Sequence, residues 1–222
     1  MQIIKKSQPR QRQQVRLHRL KSVNIVFMTI PLAQIKELRD ASGAGMMECK
    51  EVLEESGGEL KLAMELLRKR GRAKMAKRQD RTAEEGWVGA YVHTNGKIAA
   101  MVALKCETDF VARNEAFQQL ARELAMQVAA FNPPYIRPED IPEDELNHER
   151  GVIEEQLRAE GKPEMMFEKI LPGKLEKYYR EVCLLKQVTV RDEKQTVEEL
   201  LSEAVQKLGE KIEVTKIVYL TL

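Results

Sequence analysis

Gly86-Trp87-Val88-Gly89-Ala90-Tyr91-Val92-His93-Thr94-Asn95-Gly96-Lys97-Ile98-Ala99-Ala100-Met101-Val102-Ala103-Leu104-Lys105-Cys106-Glu107 is the stretch that decides the architecture. On either side of Asn95-Gly96 the chain is rich in Val, Tyr, Ile and Ala and changes with period two. An Asn-Gly pair between two such runs is the strongest short-range signal for a β-hairpin. Two strands, 87–94 and 97–107, therefore run antiparallel through a two-residue turn. A lone hairpin is only marginally stable in water. Residues 212–220 are β-branched and read as a third strand that joins the pair. The expected fold class is α+β: a three-stranded antiparallel sheet with helices over one face.

Downstream of the hairpin the period lengthens. Phe117, Leu120, Ala121, Leu124 and Val128 share one face of a helix over 114–131, which Asn132-Pro133-Pro134 stops. Residues 135–160 are acidic and end in a helix over 142–158, broken by Gly161-Lys162-Pro163. Two further helical pieces, 165–170 and 174–185, are divided by Pro172-Gly173. In the helix over 196–208, Thr196 is the N-cap and Glu199 completes a capping box.

Upstream, residues 29–70 read as three short helices. Ile30, Ile35 and Leu38 face one way in the first, and Ser42-Gly43-Ala44-Gly45 breaks it. Met46, Met47, Val52 and Leu53 belong to the second, which Gly57-Gly58 ends. Leu60, Leu62, Ala63, Leu66 and Leu67 form the stripe of the third. Residues 71–85 are hydrophilic and basic, either a continuation of that helix or a linker. The expected organisation is a basic extension over 1–27, a three-helix unit over 28–70, a basic linker over 71–85 and an α+β core over 86–222.

Composition narrows the function. No stretch of 18 uninterrupted apolar residues occurs, so no membrane-spanning helix is expected. Three scattered cysteines (Cys49, Cys106, Cys183) make neither a disulfide framework nor a zinc site, and a reducing cytoplasm is the simplest setting. The net charge of +2 conceals an asymmetry: residues 1–27 carry seven basic residues and no acid. The rest holds 30 basic against 35 acidic residues, a net of −5, which argues against a body that binds nucleic acid. The basic start is a targeting peptide, an RNA-binding arm or a disordered extension translated from an upstream start; the last reading is favoured.

Catalytic constellations fail on geometry. Across the hairpin His93 faces Ile98, and Cys106 lies eight residues further, about 26 Å along the strand. His18 and His148 have no partners at metal-ligand spacing. Ser42-Gly43-Ala44-Gly45 lacks the Gly-Lys-Ser/Thr and the preceding strand of a phosphate loop, and an interhelical turn is the better reading. No catalytic residue, cofactor or metal ligand is assigned. Two features stay open. Met46 and Met47 either fill a small core or bind a partner. Adjacent helical positions point about 100° apart, so at least one should reach the surface, where a flexible apolar side chain suits binding. Thr108-Asp109-Phe110-Val111, directly after the second strand, reads as a helix start with Asp109 as cap and Phe110 tucked inward, or as a protruding turn that offers an aromatic anchor; the two are compatible, since Asp109 could cap a helix whose first turn projects.

Two long ungapped runs then carry a resemblance. Residues 35–50 (Ile-Lys-Glu-Leu-Arg-Asp-Ala-Ser-Gly-Ala-Gly-Met-Met-Glu-Cys-Lys) resemble the first signature of the elongation factor Ts family. Residues 106–114 (Cys-Glu-Thr-Asp-Phe-Val-Ala-Arg-Asn) resemble its second. The stretch from Lys162-Pro163 to Gln187 and the run 191–197 are similar as well; the likeness covers about 28–222 and not 1–27. It implies that the first three helices are a ubiquitin-associated-like bundle that docks on the GTPase elongation factor Tu, with Arg39, Met46 and Met47 facing that partner. It implies that Thr108, Asp109, Phe110 and Val111 intrude beside the nucleotide site, dislocate magnesium and free GDP. The implied activity is guanine-nucleotide exchange in translation elongation, without catalysis, in a bacterial-type cytoplasm or an organelle. The chain departs from the longest members in carrying one copy of the core module, and short members can pair as homodimers to replace the missing half. Two other classes compete. An adaptor or ribosome-associated protein using the basic arm would lose binding on deletion of 1–27, which exchange would not notice. A hydrolase using acidic residues would turn over a substrate with no partner present.

Overall fold

The structure, a computed structural model, describes residues 30–222; the basic extension over 1–27 lies outside the described residues. Three strands form one antiparallel sheet in the order β1 (Glu85–Val92), β2 (Ile98–Cys106), β3 (Ile212–Thr221). The fold class is α+β, as expected. Val92 pairs with Ala99, and His93 N–H donates to Ile98 O at 2.8 Å, the anticipated register. The connection is wider than two residues. Gly96 alone takes the left-handed conformation (φ 67°), and the Asn95 carboxamide accepts from Lys97 N–H at 2.9 Å. A two-residue type I′ turn needs φ > 0 at both central positions; Asn95 instead spends its side chain on a local turn, and the loop takes four residues. On the far side, β3 runs along β2 from Cys106↔Ile212 to Ile98↔Thr221, with a bulge at Ala103/Leu104.

One face of the sheet is covered. Ala100, Val102, Leu104 and Cys106 point inward with Ile212 and Val214, and meet Phe117, Leu120, Ala121, Leu124 and Val128 of α5 (Glu115–Phe131). α5 begins where the Asn114 side chain accepts from Ala116 N–H, and ends on Asn132 in the left-handed region (φ 43°). β1 can lie this close to α5 because residue 89 is glycine: a Cβ there would sit 2.2 Å from the Ala121 backbone. α8 (Val197–Leu208) closes the same cluster with Val197, Leu201 and Val205, and opens with the anticipated Thr196–Glu199 capping box.

Upstream lie α1 (Leu32–Ser42), α2 (Met46–Glu55) and α3 (Leu60–Lys77). Ile35, Leu38, Cys49, Val52, Leu53, Ala63 and Leu67 pack together among them. Leu62, expected on the third stripe, is exposed; it falls about 100° from Ala63 and off the buried arc. Residues 71–77 continue α3, and that extension lies on α8. Gly71 permits the approach, since a Cβ there would stand 2.9 Å from Ser202 Oγ. Arg68–Glu203 and Arg72–Glu199 pairs line the seam, and Met75 reaches the main core.

Between α5 and α8 the chain makes an α-hairpin, α6 (Glu143–Ala159) and α7 (Phe167–Val182), with its own cluster of Ile153, Leu157, Phe167 and Leu175. The expected break at Pro172-Gly173 does not occur; α7 runs through it. Pro172 removes one N–H, at a cost of about 3 kcal/mol in a helix interior. A break would part Phe167 from Leu175, which lie eight residues apart on one face and are both buried against α6. Packing outweighs the missing hydrogen bond.

Candidate functional site

β2 ends on Cys106, buried in the core with its Sγ donating to Thr108 O. Thr108 is extended (φ −128°, ψ 156°) and caps the single turn α4 (Asp109–Ala112) by accepting from Val111 N–H at 3.4 Å. Thr108, not Asp109, is therefore the N-cap; Asp109 is the first helical residue and pairs with Arg113 at 3.3 Å. Successive helical residues turn by 100°, so one turn cannot bury every side. Ala112 is buried and Val111 packs half-buried against the core. That sets the rotation, and Phe110, two positions before Ala112, points outward with 83% of its surface exposed. The segment is both a helix start and a projecting turn, with Thr108 rather than Asp109 as the cap and Phe110 turned outward rather than into the core.

A second group lies on α1 and α2. Arg39, in the last turn of α1, is exposed and bonds its own neighbour Asp40 at 2.7 Å. Met46 is half-buried against the α1–α3 cluster, while Met47 is 69% exposed. Met47 lines an open groove of about 460 Å³ between α2 and α3, with Glu48, Glu51, Arg70, Ala73, Lys74 and Lys77. The charges there are largely spent on each other: Arg70 pairs with Glu51 at 3.0 Å, and Lys74 with Glu48 at 2.7 Å. Burial would raise the Glu48 carboxyl, but the Lys74 hydrogen bond and the Lys74 and Arg70 charges outweigh it, and the net shift is downward.

Thr108, Asp109, Phe110 and Val111 thus form one turn beside the sheet, and Arg39, Met46 and Met47 form a separate surface on two other helices. Between them runs a set of contacts that sequence reading did not single out. Glu210, just after the C-cap Gly209 of α8, accepts from the N–H groups of Glu107 and Thr108. Glu107 in turn accepts from Lys211 N–H at 2.6 Å. That hydrogen bond is the largest of the influences holding its carboxyl below the usual range, and burial opposes it. Only the pairing Cys106↔Ile212 brings these residues together, and nothing in their local pattern signals it.

The cysteines and His93 are otherwise engaged. Burial first, and then the Glu210 charge, push the Cys106 thiol up to about 11, and burial does the same to Cys183; both stay protonated and unreactive at neutral pH. His93 is spent on the Tyr91 hydroxyl at 3.1 Å. A cleft of about 670 Å³ between the end of α3, α8 and the start of β3 carries Arg137, Lys186 and Lys211, each paired with its own carboxylate: Asp140, Glu198 and Glu213. Among the described residues no three His, Cys, Asp or Glu side chains converge as a metal site requires, and no helix is long and apolar enough to cross a membrane.

Comparison of the sequence with known proteins finds a family match. The family described as Elongation factor TS matches residues 34–222. The elongation factor Ts of Thermosipho melanesiensis is 49% identical over 188 residues, covering 85% of this chain and 96% of the relative. That of Nitratidesulfovibrio vulgaris is 46% identical over 195 residues, 88% and 98% of the two chains. That of Myxococcus xanthus is 50% identical over 184 residues, 83% and 84%.

Proposed function

The chain belongs to the elongation factor Ts family, and from that premise we propose that it binds elongation factor Tu carrying GDP and drives the nucleotide off by disturbing the magnesium site. The observation that carries this reading is the Phe110 ring, held in solvent on a braced turn. Burying a phenylalanine of that exposure contributes about 2–3 kcal/mol, and nothing among the described residues collects it.

The energetics need no chemistry by this chain. Magnesium bridges the nucleotide phosphates to the GTPase. A protein that binds the empty GTPase more tightly than the loaded one must, by linkage, weaken nucleotide binding by the same factor. Thr108–Val111 supply the intruding turn, with Asp109 and Phe110 at its tip. Arg39, Met46 and Met47, on a three-helix unit of ubiquitin-associated-like type over 28–70, supply the docking surface that makes intrusion intramolecular. No cofactor is required, and a bacterial-type cytoplasm is the setting.

The test is release of a fluorescent GDP analogue from elongation factor Tu. The wild type accelerates release strongly, and Phe110→Ala loses about 1–2 kcal/mol of that effect, roughly 5- to 30-fold in rate. Equal rates for the two proteins would remove Phe110 from the mechanism.

We also propose that two copies pair through the sheet face turned away from the helices. Val88, Val92, Met101, Val218 and Leu220 all point away from the helices and are exposed. A contiguous apolar face of this kind marks an interaction surface. Sedimentation should give a dimer for the wild type and a monomer for Met101→Lys, with thermal stability of the protomer retained; a monomeric wild type at micromolar concentration refutes the pairing.

A further inference from the structure

Burial of Ala112 and Val111 sets the rotation of the projecting turn, but a helix of four residues is far below the length at which helices persist alone, so the segment that leads into it must be held from outside. We propose that Glu210 is a positioning residue for this turn, the centre of a lock that holds Phe110 in place and ties it to the end of α3. This rests on the exchange role assigned to Phe110 above.

The lock is reciprocal. Glu210 Oε2 accepts from Glu107 N–H at 3.1 Å and from Thr108 N–H at 3.0 Å, and Glu210 Oε1 accepts from Thr108 Oγ1–H at 2.6 Å. Both N–H groups lie past the end of β2, where the ladder no longer supplies acceptors. One carboxylate therefore holds the two residues that precede α4, including the hydroxyl that caps it. In the other direction Glu107 Oε1 accepts from Lys211 N–H. The 107–108 and 210–211 segments thus grip each other at both backbones.

The grip extends to a third segment. The Lys211 side chain is only 16% exposed, and its ammonium donates to Gln79 O at 2.8 Å and Arg81 O at 3.0 Å, in the turn that follows α3. Arg81 returns to Glu107 at 3.3 Å, and Arg78 donates to Val205 O of α8. The helix carrying Lys74, and through it Glu48 beside Met47, is thereby fastened to the residues that aim Phe110. Two surfaces far apart in sequence then meet one partner in a fixed relation, with the ordering cost met during folding rather than at binding.

The test is a double-mutant cycle on the full chain, read as acceleration of GDP-analogue release from elongation factor Tu. Glu210→Ala should lower the acceleration about tenfold, since a small misplacement of a positioned group costs up to about 100-fold. In a Phe110→Ala background the same change should cost less than about twofold. Glu210→Gln keeps the shape but turns an amide donor toward donors, and should fall between wild type and Glu210→Ala. Amide hydrogen exchange provides a readout independent of the partner: Glu210→Ala should speed exchange at residues 107–113 and leave the buried amides of α5 unchanged. Equal losses from Glu210→Ala in both backgrounds, or unchanged exchange at residues 107–113, would overturn the proposal. If Phe110→Ala alone costs nothing, the exchange reading of Phe110 falls, and the lock's purpose with it.

Discussion

Phe110 and Phe117 stand seven residues apart with opposite fates: the first ring is 83% exposed, the second 0%. Phe117 was legible beforehand because α5 repeats its apolar positions over four turns, and only one face can meet the sheet. Phe110 was not, because α4 makes one turn and its rotation depends on whether Ala112 or Phe110 is drawn into the core. The two should separate cleanly in denaturant unfolding. Phe117→Ala should cost about 3–5 kcal/mol through lost burial and the cavity left behind. Phe110→Ala should stay within about 0.5 kcal/mol of wild type, as an exposed substitution does. A large stability loss from Phe110→Ala would mean that the ring supports the fold rather than a partner. Thr108 shows the same limit in another form. Local sequence pointed to Asp109 as the cap; the extended backbone at Thr108 and its hydroxyl bond to Glu210 make the threonine the cap instead.

Among the elements, the hairpin was the easiest to foresee and its loop the hardest. Register follows from alternation, because a slip by one residue would turn Val102 and Leu104 to solvent. The loop follows from local φ/ψ choices worth little energy, and Asn95 took a different one. Pro172 misled for a related reason: its local cost is real, but α7 is held by Phe167 and Leu175 against α6. Gly89 has a role no pattern announces. Gly89→Ala would drive a Cβ to 2.2 Å from the carbonyl carbon and oxygen of Ala121. No side chain can move aside to relieve that contact, so the cost should reach the top of the overpacking range, about 3 kcal/mol. In a chain of this size that lowers Tm by roughly 6–12 °C, measurable by calorimetry. An unchanged Tm would show that β1 and α5 are free to separate.

At the scale of the whole molecule, α3 joins the two larger clusters, leaning on α8 and fastened at its end through Lys211 and Arg81. The basic residues of 71–85, read from composition as helix or linker, are largely committed there. Acid should loosen this junction. The Glu107 carboxyl is held below its ordinary value of 4.5, first by the Lys211 N–H and then, against burial, by Arg81 and Arg78. A depressed carboxylate contributes stability that is fully present above 4.5 and is lost as pH falls through the folded value. Glu48 acts in the same direction. Glu203 acts in the opposite one, since burial, only partly offset by Gln195 and Arg68, raises it, and its ionisation costs stability above the ordinary value. Glu107→Gln should therefore lower Tm at pH 7, and the gap to wild type should narrow as pH falls below the ordinary carboxyl value of 4.5. A gap independent of pH would show that the Glu107 charge contributes nothing to the junction.

Periodicity and turn chemistry determined the α+β class, the hairpin register, the inward face of α5 and the capping box of α8, because each depends on residues close in the chain and on one repeated geometric rule. The aim of Phe110, the tolerance of α7 for Pro172, the approach of α5 to Gly89 and the grip of Glu210 on residues 107–108 were decided by tertiary structure alone. In each of these the deciding energy comes from contact with another element: α6 holds α7 across Pro172, Ala121 sets the approach at Gly89, and Glu210 lies 103 positions from Glu107, a distance in sequence that only the completed sheet closes.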